Sequence, residues 1–268
     1  MIKDDLGSRM KEFYENIPKT KLMRRTPVAI RIDGKAFHTF TRGFKKPFDD
    51  ILIKAMTDTT EYLCKNIQGA KFGYSQSDEI TLILIDYQTL NTSAWFDYEV
   101  QKICSIAASM ATLKFNMAFK EAILNEEWEW KNSLTPQSVE IQEAHSNYIA
   151  TLKKAAQKGA MFDARCFNIP KEEVANLIYW RQLDAMRNSV QMVAQANFPH
   201  KELQGLSQEA LKEKLHLEKN IIWDNYPIYK QRGTAVYKSA SGDWIIDKGM
   251  PILKYNWHYI QDLINVGE

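Results

Sequence analysis

The sequence is poor in cysteine, and its three, Cys64, Cys104 and Cys166, are far apart in the chain and set among apolar residues. An odd number at such spacing excludes a disulfide scaffold and a paired-cysteine zinc site, so they read as buried free thiols. The five histidines, His38, His145, His200, His216 and His258, form no HExxH or other paired spacing, which removes the zinc hydrolases. Long apolar runs are absent too. The longest, around Ile103 to Leu113, is too short to span a bilayer and contains Ser and Thr. No targeting segment is evident, so a cytoplasmic protein without a membrane segment is expected. There is no internal repeat and no Gly/Ser-rich linker, and the 268 residues read as one catalytic unit.

Net charge is nearly lacking as well, at +2, but that figure hides an asymmetry. Residues 1–50 hold 12 Lys and Arg against 7 Asp and Glu. A basic end of this kind attracts a polyanion, nucleotide or nucleic acid, although cations also serve simply to keep a surface hydrated.

What is present begins with Val28, Ile30 and Ile32 alternating with Ala29, Arg31 and Asp33, the period of a strand with one face on a core. Gly34 frees the backbone to turn after it. Further on, Ser75-Gln76-Ser77-Asp78-Glu79 separates Lys71–Tyr74 from the β-branched run Ile80–Ile85, which predicts a hairpin with carboxylates at its tip. Between them, Leu52, Ala55, Met56, Thr59, Tyr62 and Leu63 have the spacing of one helix face. Strand, helix and hairpin make half of a split β-α-β sheet. If the first strand pairs beside the hairpin, Asp33 and Asp78 converge. Converging carboxylates repel unless a cation lies between them, and a hard divalent ion with oxygen ligands, Mg2+ first, answers that need. Singly, an Asp-Gly after a strand or an acid at a hairpin tip is most often only a turn. The segment Gly34–His38 is too short and too poor in glycine for a Walker loop, yet successive N–H groups in such a turn can cradle phosphates.

Around this centre, residues 1–17 carry Leu6, Met10, Phe13 and Tyr14 at helical spacing and are expected to pack as an amphipathic helix ended by Pro18. A long helix with Val100, Ile103, Ala107, Met110 and Ala111 on one face follows the hairpin. Residues 120–160 read as an elaboration outside the core. Strand character returns at Met161–Ile169, followed by a helix from Lys171 to about Gln195, another from Ser207 to Leu217, and a basic, aromatic, strand-rich stretch at Tyr226–Tyr237. The parts suffice for a four-stranded sheet with helices on one face.

Taken together, Arg31-Ile32-Asp33-Gly34-Lys35-Ala36-Phe37-His38, Phe44-Lys45-Lys46-Pro47, Tyr74–Glu79, Trp180-Arg181-Gln182-Leu183-Asp184 and Tyr229–Thr234 resemble the tRNA-histidine guanylyltransferase superfamily over most of residues 24–240. The resemblance implies an α+β fold built on a polymerase-palm-like (ferredoxin-like) antiparallel sheet. That palm-like core would lie at 24–119 and 161–200, with a helical insertion at 120–160 and a C-terminal extension at 201–268. It implies nucleotidyl transfer to the 5′ end of tRNA in the 3′-to-5′ direction, after ATP adenylylates the 5′-phosphate. By motif, Asp33 and Asp78 would hold two Mg2+ ions with the Gly34 carbonyl, and Glu79 would support the catalytic site. Arg31, Lys35, Ala36, Phe37, His38, Lys46, Ser77 and Lys102 would serve ATP, GTP or other nucleoside triphosphates. Arg165, Arg181, Asn188, Lys230 and Arg232 are the implied tRNA contacts, and a homotetramer, a dimer of dimers, is the implied assembly. Met186-Arg187-Asn188-Ser189 stands where the eukaryotic enzymes carry His-Ile-Asn-Asn, which moves the resemblance toward the guanylyltransferase-like proteins that repair tRNA 5′ ends and away from dedicated addition of G to histidine tRNA. A nucleotide cyclase on the same palm and a non-catalytic tRNA-binding protein are the alternatives, because fold does not fix function.

Overall fold

The computed structural model describes residues 4–133 and 137–266. In chain order it contains α1 (Asp5–Met10), β1 (Val28–Gly34), α2 (Phe37–Phe40), α3 (Asp50–Asn66), β2 (Ala70–Gln76), β3 (Glu79–Leu84), α4 (Val100–Lys131), α5 (Val139–Lys158), β4 (Phe162–Asn168), α6 (Val174–Asn197), α7 (His200–Leu203), α8 (Gln208–Lys219), α9 (Ile228–Arg232), β5 (Thr234–Lys238), β6 (Trp244–Asp247) and α10 (His258–Ile264). The strands form one antiparallel sheet in the order β4-β1-β3-β2-β5-β6. Its first four strands, with α3 and α4 as the two crossovers, are the split β-α-β arrangement expected from the sequence. Beyond the four expected strands, β5, from the stretch read as strand-rich, and β6, which that reading did not include, lengthen the sheet on the β2 side.

Alternation along β1 decides what each face of the sheet meets. Val28, Ile30 and Ile32 enter the main core beneath α3 and α4, together with Ile80, Leu82 and Leu84 of β3. Five rings, Phe37, Phe40, Phe115, Phe119 and Phe162, pack edge to face and stacked in that core. The expectation of helices on one face is corrected here, because the opposite face is covered by helices as well. Ala29, Phe72, Tyr74 and Ile83 are covered there by Val174, Leu177 and Ile178 of α6 and by Ile260 and Ile264 of α10. The C-terminal half of α6 leaves the sheet and builds a third core with α8 and Trp223.

Three further expectations need correction. The segment 120–160 is not outside the core: α4 runs on unbroken to Lys131, burying Ala122 and Ile123, and α5 returns against it, burying Ile149, Leu152, Ala155 and Ala156 in the main cluster. The polar residues that suggested an appendage lie on the outer faces of these two helices. Residues 1–17 are helical over α1 and a following π turn, but Leu6, Phe13, Tyr14 and Ile17 are exposed and no residue of either turn is buried, so the helix does not pack on the described chain. In Tyr226–Tyr237 only Thr234–Lys238 is strand; Pro227 starts the short α9, and Gly233 at φ 87° turns the chain into β5. A Cβ on Gly233 would stand 2.6 Å from the Ser75 carbonyl oxygen, so only glycine lets β5 pair that closely with β2. The cysteines are free, as expected, but Cys104 and Cys166 are only half-buried and their Sγ atoms meet at 3.6 Å.

Because α5 belongs to the core, Leu152→Ala is expected to lower stability by about 2–5 kcal/mol. Thermal unfolding checks this, since truncation on an appendage outside the core would leave Tm unchanged.

Candidate active site

Asp33 reaches the site because β1 ends there. Ile32 and its cross-strand neighbour Ile80 point into the main core, so Asp33 and its partner Glu79 project from the opposite face. The hairpin between β2 and β3 turns on two residues, Ser77 and Asp78, closed by the pair Gln76 and Glu79. Ser77 takes φ 51°, the left-handed conformation that two-residue hairpin turns demand. The Gly34 amide then donates to the Asp78 carbonyl oxygen at 3.1 Å and ties the end of β1, which bears Asp33, to the hairpin tip, which bears Asp78. The Ser77 hydroxyl donates to Asp78 Oδ1 at 3.0 Å. Burial pushes the Asp78 carboxyl above the usual carboxylate range, the Ser77 hydroxyl opposes the shift, and the Asp33 charge adds to it.

Glu79 is buried and braced. Arg31 ion-pairs with Glu79 Oε1 at 3.0 Å and Arg181 with the same oxygen at 2.8 Å, while Arg181 also reaches Asp184 at 2.7 Å. Both guanidiniums sit over the Trp180 ring, at 5.1 Å and 4.3 Å from its centroid. Burial pushes the Glu79 carboxyl up and the two guanidiniums, Arg181 foremost, pull it back down. Glu79 therefore fixes the start of β3 to α6. This corrects one assignment, because the buried Arg181 is unavailable to tRNA; Arg31, partly exposed, is engaged by the same carboxylate.

A cleft of about 470 Å³ opens beside the acids, lined by Gly34, Ala36, Phe37, His38, Ser77 and Asp78 among others. A Cβ on Gly34 would stand 2.2 Å from the Phe37 ring, so glycine is what lets that ring tuck under the turn. Phe37 is buried and offers its backbone, not its ring. Its N–H and that of His38 lie in the first turn of α2, where a helix supplies no acceptors of its own. The Lys35 amide is excluded from such a cradle because it donates to the Met161 carbonyl at 2.8 Å. Lys46 is exposed between Lys45 and Pro47, both of which line the cleft.

Lys102 is not at the site. Cys104 meets Cys166, which pairs with Ile30, whereas Thr112 bonds Phe162, which pairs with Gly34. The N-terminus of α4 thus lies over the far end of the sheet, leaving Lys102 about 15 Å of helix away from the level of Gly34. Of the remaining residues, Arg165 is exposed on the edge strand β4 and paired with Asp163 at 3.1 Å. Asn188 and Lys230 line a small recess with Ser77, where Lys230 pairs with Asp50 at 2.6 Å. Arg232 is a correction: its Nε donates to the Met250 carbonyl at 3.0 Å, and half-buried it closes the fold. One acid escaped the sequence reading. Asp163 pairs directly with Asp33 across β1 and β4, and its alternation with Phe162 and Ala164 was the available signal.

Neither Asp33 nor Asp78 is ion-paired to a cationic side chain among the described residues, and no group of three or more His, Cys, Asp or Glu converges there. Two carboxylates on chain ends joined by the Gly34–Asp78 hydrogen bond, neither with a cationic partner and one of them desolvated, fit a hard divalent ion. With only two protein charges, such an ion completes its shell with neutral oxygens and substrate phosphates, as Mg2+ does.

With this geometry in hand, the comparisons are specific. The profile of the tRNAHis guanylyltransferase family matches residues 7–170. A bacterial tRNA(His) guanylyltransferase-like protein solved in complex with ATP is 41% identical, covers 97% of this chain and 100% of its own, and superposes with a TM-score of 0.80. A structure of such a bacterial protein in complex with GTP is 36% identical, covers 98% and 100%, and gives 0.76. An uncharacterized protein of Acanthamoeba polyphaga mimivirus is 31% identical over 89% of this chain and 78% of its own length.

The raised Asp78 carboxyl carries a stability consequence with a definite sign. Its folded-state pKa lies above the unfolded value, so ionisation destabilises the fold at neutral pH, and that penalty disappears once pH falls below the ordinary carboxylate range. Asp78→Asn is therefore expected to raise Tm at pH 7 by about 2 °C, the scale of about 1 kcal/mol in a chain of this size. The gain should vanish in scans below the ordinary carboxylate range, and an unchanged or lower Tm at pH 7 would contradict the assignment. Arg181→Ala, which leaves Glu79 buried against one guanidinium, is expected to cost about 3 kcal/mol in the same measurement.

Proposed function

Because the chain belongs to the tRNAHis guanylyltransferase family, we propose that it is a template-dependent nucleotidyltransferase that adds nucleotides in the 3′-to-5′ direction to tRNA 5′ ends. In the first step a 5′-phosphate oxygen of tRNA attacks the α-phosphorus of ATP and pyrophosphate leaves. In the second, the 3′-hydroxyl oxygen of an incoming nucleoside triphosphate attacks the 5′-phosphorus and AMP leaves. The observation that carries this reading is the Gly34–Asp78 hydrogen bond, which ties the strand end that bears Asp33 to a hairpin tip whose Asp78 lines a cleft walled by the turn at Gly34–His38.

Asp33 and Asp78, with the Gly34 carbonyl, would hold two Mg2+ ions, which supply charge neutralisation and activate an oxygen for in-line attack. The chain's own residues do the placing. The Gly34 amide fixes the Asp78 backbone to the end of β1, and the Ser77 hydroxyl orients one oxygen of the Asp78 carboxylate. The Phe37 and His38 N–H groups would face phosphate oxygens, and Lys46 would add charge at the rim. Glu79 acts through Arg31 and Arg181 and keeps the hairpin in register. No side-chain nucleophile is needed.

Repair is favoured over dedicated G addition by the α6 motif. In Met186-Arg187-Asn188-Ser189, Ser189 is buried and its Oγ accepts the Trp223 Nε1–H at 2.9 Å, so that position serves the packing of α6 on α8. A cytoplasmic location and assembly as a dimer of dimers belong to the same proposal. Among the described residues no helix is long and apolar enough to cross a membrane.

A 5′-truncated tRNA bearing a 5′-monophosphate, incubated with ATP, nucleoside triphosphates and Mg2+, is expected to be extended until its acceptor stem is paired. Asp33→Ala should lower the rate at least about a hundredfold. Folded wild-type protein that gives no extension, or that converts labelled ATP to a cyclic nucleotide without labelling tRNA, overturns the proposal.

A further inference from the structure

On the other side of α2 from the nucleotide cleft lies a second one, of about 530 Å³, between the chain at Lys35–Gly43 and the C-terminal half of α5. Four cations line it, Lys35, Arg42, Lys154 and Lys158, and no acid does. All four are exposed, and none makes an ion pair or a side-chain hydrogen bond among the described residues. Their neighbours behave otherwise. Lys45 pairs with Glu126 and Lys153 with Glu127, so the acids of α4 neutralise the lysines beside the cleft and leave those within it uncompensated. Lys154 and Lys158 stand four residues apart on α5 and so lie on one face, one turn above the other.

Four unpaired cations around one concavity repel one another, and only an anion of matching extent relieves them. Ala36 lines both clefts, so an anion in the second lies one residue of chain away from the phosphate side of the first. We infer that the cleft of Lys35, Arg42, Lys154 and Lys158 binds backbone phosphates of the RNA strand next to the reacting end. This rests on the function proposed above and extends it, since α5 lies outside every motif on which that reading was based. The shared chemistry is phosphate, and the same cations could instead meet the phosphates of a free nucleotide. The cations are spread over two elements, Lys35 and Arg42 on the chain around α2 and Lys154 and Lys158 one turn apart on α5, and that extent favours the polymer.

The test is equilibrium binding, which needs no turnover. Full-length protein and the double variant Lys154→Gln/Lys158→Gln are titrated with a 5′-monophosphorylated tRNA transcript at several salt concentrations, and separately with ATP. Each phosphate contact removed should lower the slope of log K against log [salt] by about 0.7–0.9 and, for the pair, weaken tRNA binding about tenfold at low salt. ATP affinity should stay unchanged. Lys153→Gln, one residue away but directed at Glu127, should leave the slope and the affinity as in wild type; both lysines of the double variant are exposed, and Tm confirms that it folds. Unaltered slope and affinity in the double variant, with wild type binding tRNA normally, overturn this inference alone. Weakened ATP binding with tRNA binding intact overturns it in favour of a nucleotide-phosphate site. A wild-type chain that binds ATP but no tRNA overturns both this inference and the proposed function.

Discussion

The arrangement depends on one register, that of β1 against β3. With Asp33 opposite Glu79, every second residue of both strands is aliphatic and buried under α3 and α4, while the intervening residues face the other way, Ala29 and Ile83 into the second core and Arg31, Asp33 and Glu79 as charges at the end where the strands reach the hairpin. A slip of one residue would exchange these sets, forcing Asp33 and Arg31 into a core of isoleucine and phenylalanine. The register is held from both sides, by burial of Ile30, Ile32, Ile80 and Leu82 below and by the Arg31–Glu79–Arg181 cluster above. At its end the Gly34–Asp78 hydrogen bond fixes the second acid relative to the first. Placement of the acids is thus a consequence of packing.

That logic explains what could be read in the sequence and what could not. Alternation at Val28–Asp33 and the polar tip at Ser75–Glu79 are local patterns, and both strands, the hairpin and the pairing of the acids followed from them. Lys102 illustrates the limit. The start of its helix was legible, but the end of the sheet over which that start lies depends on the path from β3 through Trp95–Tyr98, which no local pattern encodes. Arg181 and Arg232 illustrate another, because a charged residue in a helix or before a strand reads as surface unless its buried partner is known. For residues 120–160 the signal existed. Phe115, Phe119, Ala122 and Ile123 repeat at helical spacing across the supposed boundary, but the acidic and aromatic residues between them dominate the composition.

Charge shows the same sorting of composition by structure. Among the basic residues of the first fifty, Lys19, Lys21, Arg24, Arg31 and Lys45 each have a carboxylate partner. Lys35 and Arg42 do not, and they lie on the turn that separates the two clefts. The local excess of positive charge is therefore not a uniform basic surface: about half of these cations are neutralised by a carboxylate, and two of the uncompensated ones stand together at the second cleft.

The second cleft also depends on the main core, and for that reason its cations are held in place. Asp49 caps α3 by accepting from the Leu52 amide at 3.0 Å, accepts the Lys45 amide at 3.0 Å, and accepts the Tyr148 hydroxyl of α5 at 2.8 Å. One buried carboxylate thus joins the chain after α2, the start of α3 and the middle of α5. With Leu152, Ala155 and Ala156 buried beneath them, Lys154 and Lys158 project from a helix anchored on one side by apolar packing and on the other by this hydrogen-bonded junction. A surface lysine on a free appendage loses conformational entropy on meeting a phosphate, and its backbone must be ordered as well. Here only the side chains remain to be ordered, so an insertion that joined the core would present its charges at lower entropic cost than one that stayed outside it.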